Sequence, residues 1–304
     1  MRWKKLGLLY APTGRVRHPK LASHAANPLP VPLHGSVYRV FYSARDADNR
    51  SSVGAVDIDV VRMRIVHDHE EPFFTHGPPG SFYVDGVSIG NCYEVAGTRY
   101  MLFMGWQNQP GGHWRGDIGR LRVTPGLSLE LDLEQPLLGA DAVDPISLSY
   151  PWVMPDRDGG YCMWYGSTLS WDGGNGEMVH VIHGARSTDG HAWQRLGLAV
   201  PWQLGVAQAF SRPTVITNAD RHMDMWFSFR SGDGRSYRIG RASRAPGQDW
   251  ELRLDAAGID VSASGWDAEM IEYPFVFEAC GQRFMLYNGN GYGRSGFGLA
   301  RAEG

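Results

Sequence analysis

Three carboxylate side chains stand just ahead of strand-like runs, where they could carry proton chemistry. Asp85 precedes the run GVSIGN, and Glu269 and Glu272 precede the run FVF. A carboxyl group at such an entry can hold a proton and pass it to a leaving oxygen. Glu269 and Glu272 are three residues apart in an extended segment, so they point to opposite sides of it. We predict all three as candidate catalytic residues, the alternative for Asp85 being a turn before a strand.

Three arginines, Arg45, Arg212 and Arg230, could bring positive charge to the same place. Guanidinium groups bind carboxylates and phosphates through paired hydrogen bonds, so three of them at one mouth would form an anion site. The alternative is that each arginine pairs with a nearby carboxylate such as Asp46 or Asp233.

Polar and aromatic side chains at the same strand ends suit hydroxyl groups and sugar rings. The aromatic residues could equally be packing residues, and the histidine a structural one. The cluster His67 to Glu70 lies in a connecting segment without a second cluster, so we predict no metal site and no cofactor. The predicted substrate-binding residues are His24, Asn27, Arg45, Trp106, Tyr150, Arg212, Arg230, Tyr273, Asn288 and Asn290.

An internal repeat places these residues at equivalent positions. Segments resembling YCMWYGS begin at Tyr38, Tyr100, Tyr161, Met223 and Phe284, which are 62, 61, 62 and 61 residues apart. Ten residues before each stands one of Pro28, Gly90, Pro151, Pro213 and Pro274. Each pair of runs reads as a β-hairpin, whose entry and exit lie at the same end. We therefore expect Asp85, Arg212 and Glu269, from three repeats, to share one axial cavity.

The N-terminal segment predicts how the array closes. Residues 3–10, WKKLGLLY, resemble residues 193–200, WQRLGLAV, which occupy the place of a fourth strand in the third repeat. The last repeat has room for three strands only, so the N-terminal segment would supply its outer strand. No segment carries the 3.6-residue apolar period of a helix over a helical length.

Composition limits the classes of partner. The net charge of −3 gives no basic footprint for nucleic acid. No apolar run reaches the length of a membrane helix, and the N-terminus lacks a signal peptide. The 3 cysteines are best explained as small buried residues in a reducing compartment. We predict a cytoplasmic protein that binds neither nucleic acid nor membrane.

The repeat resembles the five-bladed β-propellers of glycoside hydrolases, the superfamily of families 43, 32, 68 and 130. The resemblance rests on the Pro step, on YCMWY in the second strand, and on ARSTDGHAW, which ends the third. It implies an all-β fold: one five-bladed propeller over residues 1–304, with four-stranded antiparallel blades and the ring closed by the N-terminal strand in the last blade.

The same resemblance guides the prediction of activity. A family-43 enzyme would carry Asp where this chain has Asn27, and Glu where it has Tyr150. Asp85, in VDGV, resembles the single proton-donating Asp of family-130 phosphorylases. The resemblance thus implies a glycosidase or phosphorylase-like enzyme acting on an anionic or phosphate-bearing sugar. Two alternatives stay open: elimination or rearrangement on a nucleotide sugar or natural-product intermediate, and a catalytically silent sugar-binding propeller.

Overall fold

The computed structural model describes residues 1–12 and 18–303, and this part of the chain is an all-β structure. Twenty strands follow one another, with two short 3-10 turns, Pro19–Leu21 and Leu254–Ala256, as the helical elements of the described residues. The predicted domain, 1–304, also includes residues 13–17 and 304, which lie outside the described residues. The scarcity of helix agrees with the absence of a helical period in the sequence.

Backbone pairing places the strands of the described residues in one sheet of four strands and two sheets of eight. Each sheet of eight consists of two sets of four antiparallel neighbours, joined by a single parallel bridge, Ser51 with Gly86 in one and His180 with Ala209 in the other. We describe the five antiparallel sets as groups. The chain begins with β1 (Arg2–Tyr10). The first group is β2 (Ser23–His34), β3 (Val37–Arg45), β4 (Ser51–Asp59) and β5 (Arg64–Asp68). The second is β6 (Gly86–Val95), β7 (Thr98–Asn108), β8 (Trp114–Val123) and β9 (Leu129–Leu131). The third is β10 (Leu148–Pro155), β11 (Tyr161–Ser170), β12 (Val179–Ser187) and β13 (Gln194–Leu198).

The last two groups complete the set. The fourth is β14 (Ala209–Thr217), β15 (Met223–Arg230), β16 (Arg238–Arg244) and β17 (Glu251–Leu252). The fifth is β18 (Glu272–Ala279), β19 (Gln282–Asn288) and β20 (Phe297–Glu303), with β1 as its outer strand. β1 pairs antiparallel with β20, Trp3 opposite Ala302, which is the pairing predicted for the N-terminal segment.

The innermost hairpin of every group carries an irregularity at the predicted Pro or Gly step. Strand register shifts between Ala26 and Leu29, Ile89 and Cys92, Ser149 and Trp152, Ser211 and Thr214, and Glu272 and Phe275. The residue before each proline step has a positive φ: 55° at Asn27, 36° at Tyr150, 48° at Arg212 and 51° at Tyr273. Non-glycine residues adopt this conformation at a cost of about 1–3 kcal/mol each, and they cluster at functional sites. Every inner strand therefore bends at the same place.

Apolar side chains of different groups pack against one another at these steps. The rings of Trp152 and Phe275, which directly follow two of these steps, lie with centroids 5.0 Å apart. Burial of one such side chain contributes about 1.5–3 kcal/mol. This packing fixes the inner strand entries relative to one another. Among the described residues no helix has the length and apolar character to span a membrane.

Candidate functional site

A cavity of about 330 Å³ opens at the end of the inner strands where entries and exits meet. It draws residues from all five groups and from the segments between their strands. Its lining comprises Arg45, Asn49, Ser88, Met104, Trp106, Asn108, Trp114, Ser149, Tyr150, Met178, His180, Phe210, Ser211, Arg230, Tyr237, Tyr273 and Tyr292. Residues from distant repeats thus lie together at one end of the strands, which is the arrangement that the hairpin pattern predicts.

Five of the predicted site residues line this cavity: Arg45, Trp106, Tyr150, Arg230 and Tyr273. Arg45 and Arg230 end their strands, whereas the two tyrosines sit at the bent inner steps. The hydroxyl groups of Tyr150 and Tyr273 lie 3.3 Å apart. The indole N–H of Trp106 donates to Ser51 at 3.0 Å. The wall therefore combines aromatic surfaces with guanidinium groups.

The structure does not place Asp85 or Glu269 in the cavity lining. The Oδ2 atom of Asp85 accepts the backbone N–H of Asn108 at 2.6 Å, so this carboxylate secures a turn at the rim. Glu269 is exposed, and its backbone N–H donates to the side chain of Asn290 at 2.9 Å. Neither acid is among the lining residues, although Asp85 contacts one of them, Asn108, so a catalytic role for Asp85 or Glu269 stays a prediction.

Arg212 also lies outside the lining, because its guanidinium group is used by the backbone. It is 2% exposed. Its N–H groups donate to the carbonyl oxygens of Tyr273 at 2.9 Å, Asn27 at 3.1 Å and Pro28 at 2.9 Å. Burial lowers the pKa of Arg212 to about 9, so the group still carries its charge at neutral pH. It also donates to the carbonyl oxygen of Gly90 at 3.4 Å, so Arg212 connects the inner strands of the first, second and fifth groups to its own.

The predicted amide ligands are held in a similar way. Asn288 accepts the N–H of Asn27 at 2.9 Å and donates to the carbonyl oxygens of Ala25 and Gly296 at 2.7 and 2.9 Å. Asn290 accepts the N–H of Glu269 and of the next residue. None of Asn27, Asn288 and Asn290 lines the cavity. The amides of Asn288 and Asn290 thus bond to backbone groups that would otherwise lack partners, whereas the side-chain Oδ1 of Asn27 is buried without a hydrogen-bond partner.

Glu272 is a buried acid whose ionisation is influenced by two cavity arginines, Arg230 and Arg45. Its side chain is 0% exposed, and neither Oε1 nor Oε2 has a hydrogen-bond partner. Burial raises the pKa of Glu272 well above its ordinary value, and the charges of Arg230 and Arg45 only partly oppose this rise. Burial therefore favours the protonated form of this acid more than it is favoured in an exposed glutamate. Burial raises the pKa of three tyrosine hydroxyl groups near Glu272, and the Glu272 carboxylate raises them further. These are Tyr150, Tyr237 and Tyr273.

The repeat makes Glu272 distinctive. The residues two before the Pro or Gly steps are Ala26, Ser88, Ser149, Ser211 and Glu272. The three serines line the cavity. At this position of the repeat, four repeats have a small residue and one has an acid. Alignment of the repeats therefore distinguishes Glu272 from sequence alone.

The two cavity arginines differ in how their charge is balanced. Arg230 donates to Glu177 at 2.7 Å and stacks over the ring of Tyr237 at 4.6 Å. Arg45 donates to the neutral side-chain amide of Asn49 at 2.6 Å. The partners considered for them from sequence, Asp46 and Asp233, are engaged elsewhere, by Arg50 and Arg235 respectively.

Most of the lining was not predicted, including His180 and Trp114, and neither was Glu177, the partner of Arg230. The ring nitrogens of His180 bond to Ser149 at 2.6 Å and Thr168 at 2.7 Å. Burial, with a smaller contribution from His183, lowers the pKa of His180 to about 3, so the ring is neutral. A polar residue inside the apolar run VHVI was the available signal for His180. Glu177 lies in a glycine-rich connection that carries no such signal.

His24 stands beside the cavity. Its backbone has φ = 63°, and its Nδ1 bonds to Ser23 at 2.9 Å. Burial lowers the pKa of His24 to about 4, with further lowering by Arg45 and Arg294. Within residues 1–12 and 18–303, no group of three or more His, Cys, Asp or Glu side chains is placed to hold a metal ion.

Solved structures with the same fold are glycoside hydrolases. One described as a glycoside hydrolase has a TM-score of 0.75 at 12% identity, with 99% of this chain and 92% of that chain covered. A structure connected with the GH130 family of mannoside phosphorylases gives 0.73 at 13% identity, covering 99% and 93%. A thermostable family-43 glycoside hydrolase gives 0.66 at 15% identity, covering 93% and 90%. The fold is therefore that of the propeller glycoside hydrolases, as the sequence resemblance implied.

Sequence comparison identifies closer relatives. No model of a known protein family matches the chain. Uncharacterized proteins Rv1502 and MT1551 of Mycobacterium tuberculosis, from strains H37Rv and CDC 1551, are each 41% identical to it over 305 residues, with 100% of both chains covered. The chain therefore belongs to the same family as Rv1502 and MT1551.

Proposed function

We propose that this protein is a carbohydrate-active enzyme that cleaves or transfers a glycosidic bond in an anionic or phosphate-bearing sugar bound in the cavity. The observation that carries the proposal is Glu272, a buried acid without hydrogen-bond partners whose pKa is raised by burial and opposed by the charges of Arg230 and Arg45. The aromatic lining, with Trp106 and Tyr150 among it, suits the apolar face of a sugar ring.

We also propose that the five strand groups are the blades of one five-bladed propeller, which β1 closes by joining the last blade. The five-fold recurrence of the bent inner step supports this count. A cytoplasmic location is part of the proposal, supported by three free cysteines, Cys92, Cys162 and Cys280.

Glu272 is the proton donor in this proposal. Its proton passes to the glycosidic oxygen as the bond from that oxygen to the anomeric carbon breaks. Water or inorganic phosphate then adds to the anomeric carbon, and the proton released by the attacking group restores the acid. The resulting carboxylate is stabilised by Arg45 and Arg230, whose charges already favour it.

Glu272 can reach the substrate because no hydrogen bond anchors it. Both carboxyl oxygens lack partners, so rotation of the side chain toward the cavity breaks no hydrogen bond. The neighbouring residue, Tyr273, and the equivalent serine of the fourth group, Ser211, already line the cavity. The movement required is a local change of rotamer.

The test compares two acids on one panel of substrates. Wild-type protein, Glu272→Gln and Asp85→Asn are assayed on aryl glycosides and glycosyl phosphates, with and without inorganic phosphate. We expect Glu272→Gln to lower kcat by about 10²–10⁴-fold, the usual contribution of a general acid. Asp85→Asn should keep activity within about tenfold, because Asp85 caps a rim turn rather than lining the cavity.

The reverse result, loss of turnover in Asp85→Asn with full turnover in Glu272→Gln, would transfer the acid role to Asp85. The lining itself favours a second candidate function, because it includes no carboxylate of the described residues. Sugar binding by calorimetry without turnover on any substrate would identify a sugar-binding propeller instead.

A further inference from the structure

Three basic residues lie on backbone segments of the first and fifth groups that adjoin beside the cavity. His24 is the second residue of β2, and Arg45, on the paired strand β3, lies opposite Ser23. The loop after β19 approaches from the other side, because the carbonyl oxygen of Gly293 accepts the N–H of Ala25 at 2.9 Å. Arg294 follows Gly293 directly. We call His24, Arg45 and Arg294 the basic corner.

The charge of the basic corner is not balanced by the protein. Among the described residues, no carboxylate lies within ion-pair distance of Arg45 or Arg294, and the bond from Arg45 goes to the amide of Asn49. Arg294 is exposed. By contrast, Arg230 on another part of the wall is neutralised by Glu177. The positive charges of these two guanidinium groups are thus available to bind an anion.

The backbone holds this corner in place at some cost. His24 has a positive φ of 63°, which a residue with a Cβ rarely adopts. Gly293 has φ = 88°, and a Cβ on it would lie 2.8 Å from the Cα of Ala26. The close approach of the two segments therefore depends on glycine at this position. Strain concentrated beside a cavity is typical of a site that positions side chains for a ligand.

We propose that the basic corner binds the anionic group of the substrate, and that this group is a phosphate monoester. The inference rests on the proposed function and names the substrate class for that site. A phosphate monoester carries about −1.5 to −2 charges at neutral pH, which matches two unbalanced guanidinium groups better than a single carboxylate does. Its oxygens can accept paired hydrogen bonds from each guanidinium and one from the His24 ring.

The experiment measures binding without turnover, so its result is independent of the catalytic test. Inorganic phosphate, glucose 6-phosphate, glucuronate and glucose are titrated into the full chain by calorimetry at two salt concentrations. We expect both phosphates to bind more tightly than glucuronate, and glucose to bind most weakly. Arg45→Gln and Arg294→Gln should each weaken phosphate binding at least tenfold. Arg235→Gln, which removes an exposed arginine paired with Asp233, is the matched control and should leave binding unchanged.

His24 supplies a readout that a structural role would not move. Its pKa of about 4 should rise when phosphate binds, as followed by NMR and assigned with His24→Gln. Equal binding of glucuronate, or phosphate binding that survives both arginine substitutions, would overturn the proposal. Phosphate binding without any glycosidic turnover would retain the basic corner and reject the proposed reaction. Turnover of neutral glycosides without phosphate binding would retain the proposed glycosidic chemistry and reject phosphate binding at the basic corner.

Discussion

Two carboxyl groups of this protein are equally buried, yet their surroundings shift their pKa values in opposite directions. Asp144, before β10, and Glu272, at the start of β18, are both 0% exposed. Asp144 accepts hydrogen bonds from His183 at 2.7 Å, from Tyr165 at 2.8 Å and from Arg195. Glu272 accepts none.

The pKa values follow from these partners. Burial by itself raises the pKa of Asp144, but the bonds from His183, Tyr165 and Arg195 outweigh it and hold that pKa well below its ordinary value. Burial raises the pKa of Glu272, and the charges of Arg230 and Arg45 do not overcome it. A fully bonded buried acid holds a sheet together, whereas an unbonded one keeps a proton available. The first serves the fold, and the second is the candidate for chemistry.

The largest expected effect comes from breaking the Asp144 network. Arg195 keeps Asp141 as a partner in Asp144→Asn, at 2.9 Å. The substitution nevertheless removes the buried negative charge to which His183, Tyr165 and Arg195 donate, and we expect a loss of about 3–5 kcal/mol in the free energy of unfolding at neutral pH. Urea unfolding followed by tryptophan fluorescence measures it. Because the folded pKa of Asp144 is depressed, its contribution is complete above the ordinary pKa of Asp and fades as pH falls. The difference between variant and wild type should therefore shrink in acid, and a constant difference would contradict this account.

Glu272→Gln should show the opposite slope. The folded pKa of Glu272 is raised, so between the ordinary Glu value and the folded value the native state holds more protons than the unfolded state. Wild-type stability should then fall with rising pH relative to the variant, by up to about 1.4 kcal/mol per pH unit. The same urea titrations at several pH values measure it. A variant that is less stable than wild type at pH 8 would refute the neutral buried acid.

His24 and His180 titrate in the same experiment and must be separated from Glu272. Their folded pKa values, about 4 and about 3, lie below the ordinary histidine value. Each therefore adds stability as pH rises from its folded pKa to about 6.5. Both histidines are present in wild type and variant, so their contributions cancel in the difference.

The smallest effects come from a matched pair of hydroxyl deletions. Tyr165→Phe removes a hydrogen bond to the ionised Asp144, and we expect a loss of about 1.5–3 kcal/mol. Tyr150→Phe removes a 3.3 Å contact between two neutral hydroxyls, and we expect about 0.5–1 kcal/mol. Thermal unfolding of both variants gives the ranking. Equal losses would mean that the charge state of the nearby acid does not set the strength of the bond.

Much of the architecture could be predicted because it depends on patterns within each repeat. Three features recur at a nearly constant spacing: the Pro or Gly step, the second strand and the outer strand. Each depends on hydrogen bonding between segments that are close in the chain. The match between residues 3–10 and 193–200 was enough to predict that β1 pairs with β20. The position of Glu272 in a column of small residues was also visible in the sequence.

The roles of individual polar residues could not be predicted in the same way. Arg212 was expected among the anion ligands, but it bonds to carbonyl oxygens of Asn27 and Pro28, 185 and 184 residues away in sequence. Arg230 pairs with Glu177, 53 residues away, rather than with Asp233. Such partners lie in other repeats, and their identity depends on the exact approach of segments that no local pattern specifies.

By itself, the sequence determined an all-β chain with a recurring bent hairpin and the set of side chains brought toward one end of it. It did so because strand alternation and proline steps are local properties of the backbone. The tertiary structure alone decided which of those side chains satisfy buried backbone groups and which remain unbonded beside the cavity. Hydrogen-bond partners and burial are set by contacts between distant repeats, and these exist only in the folded chain.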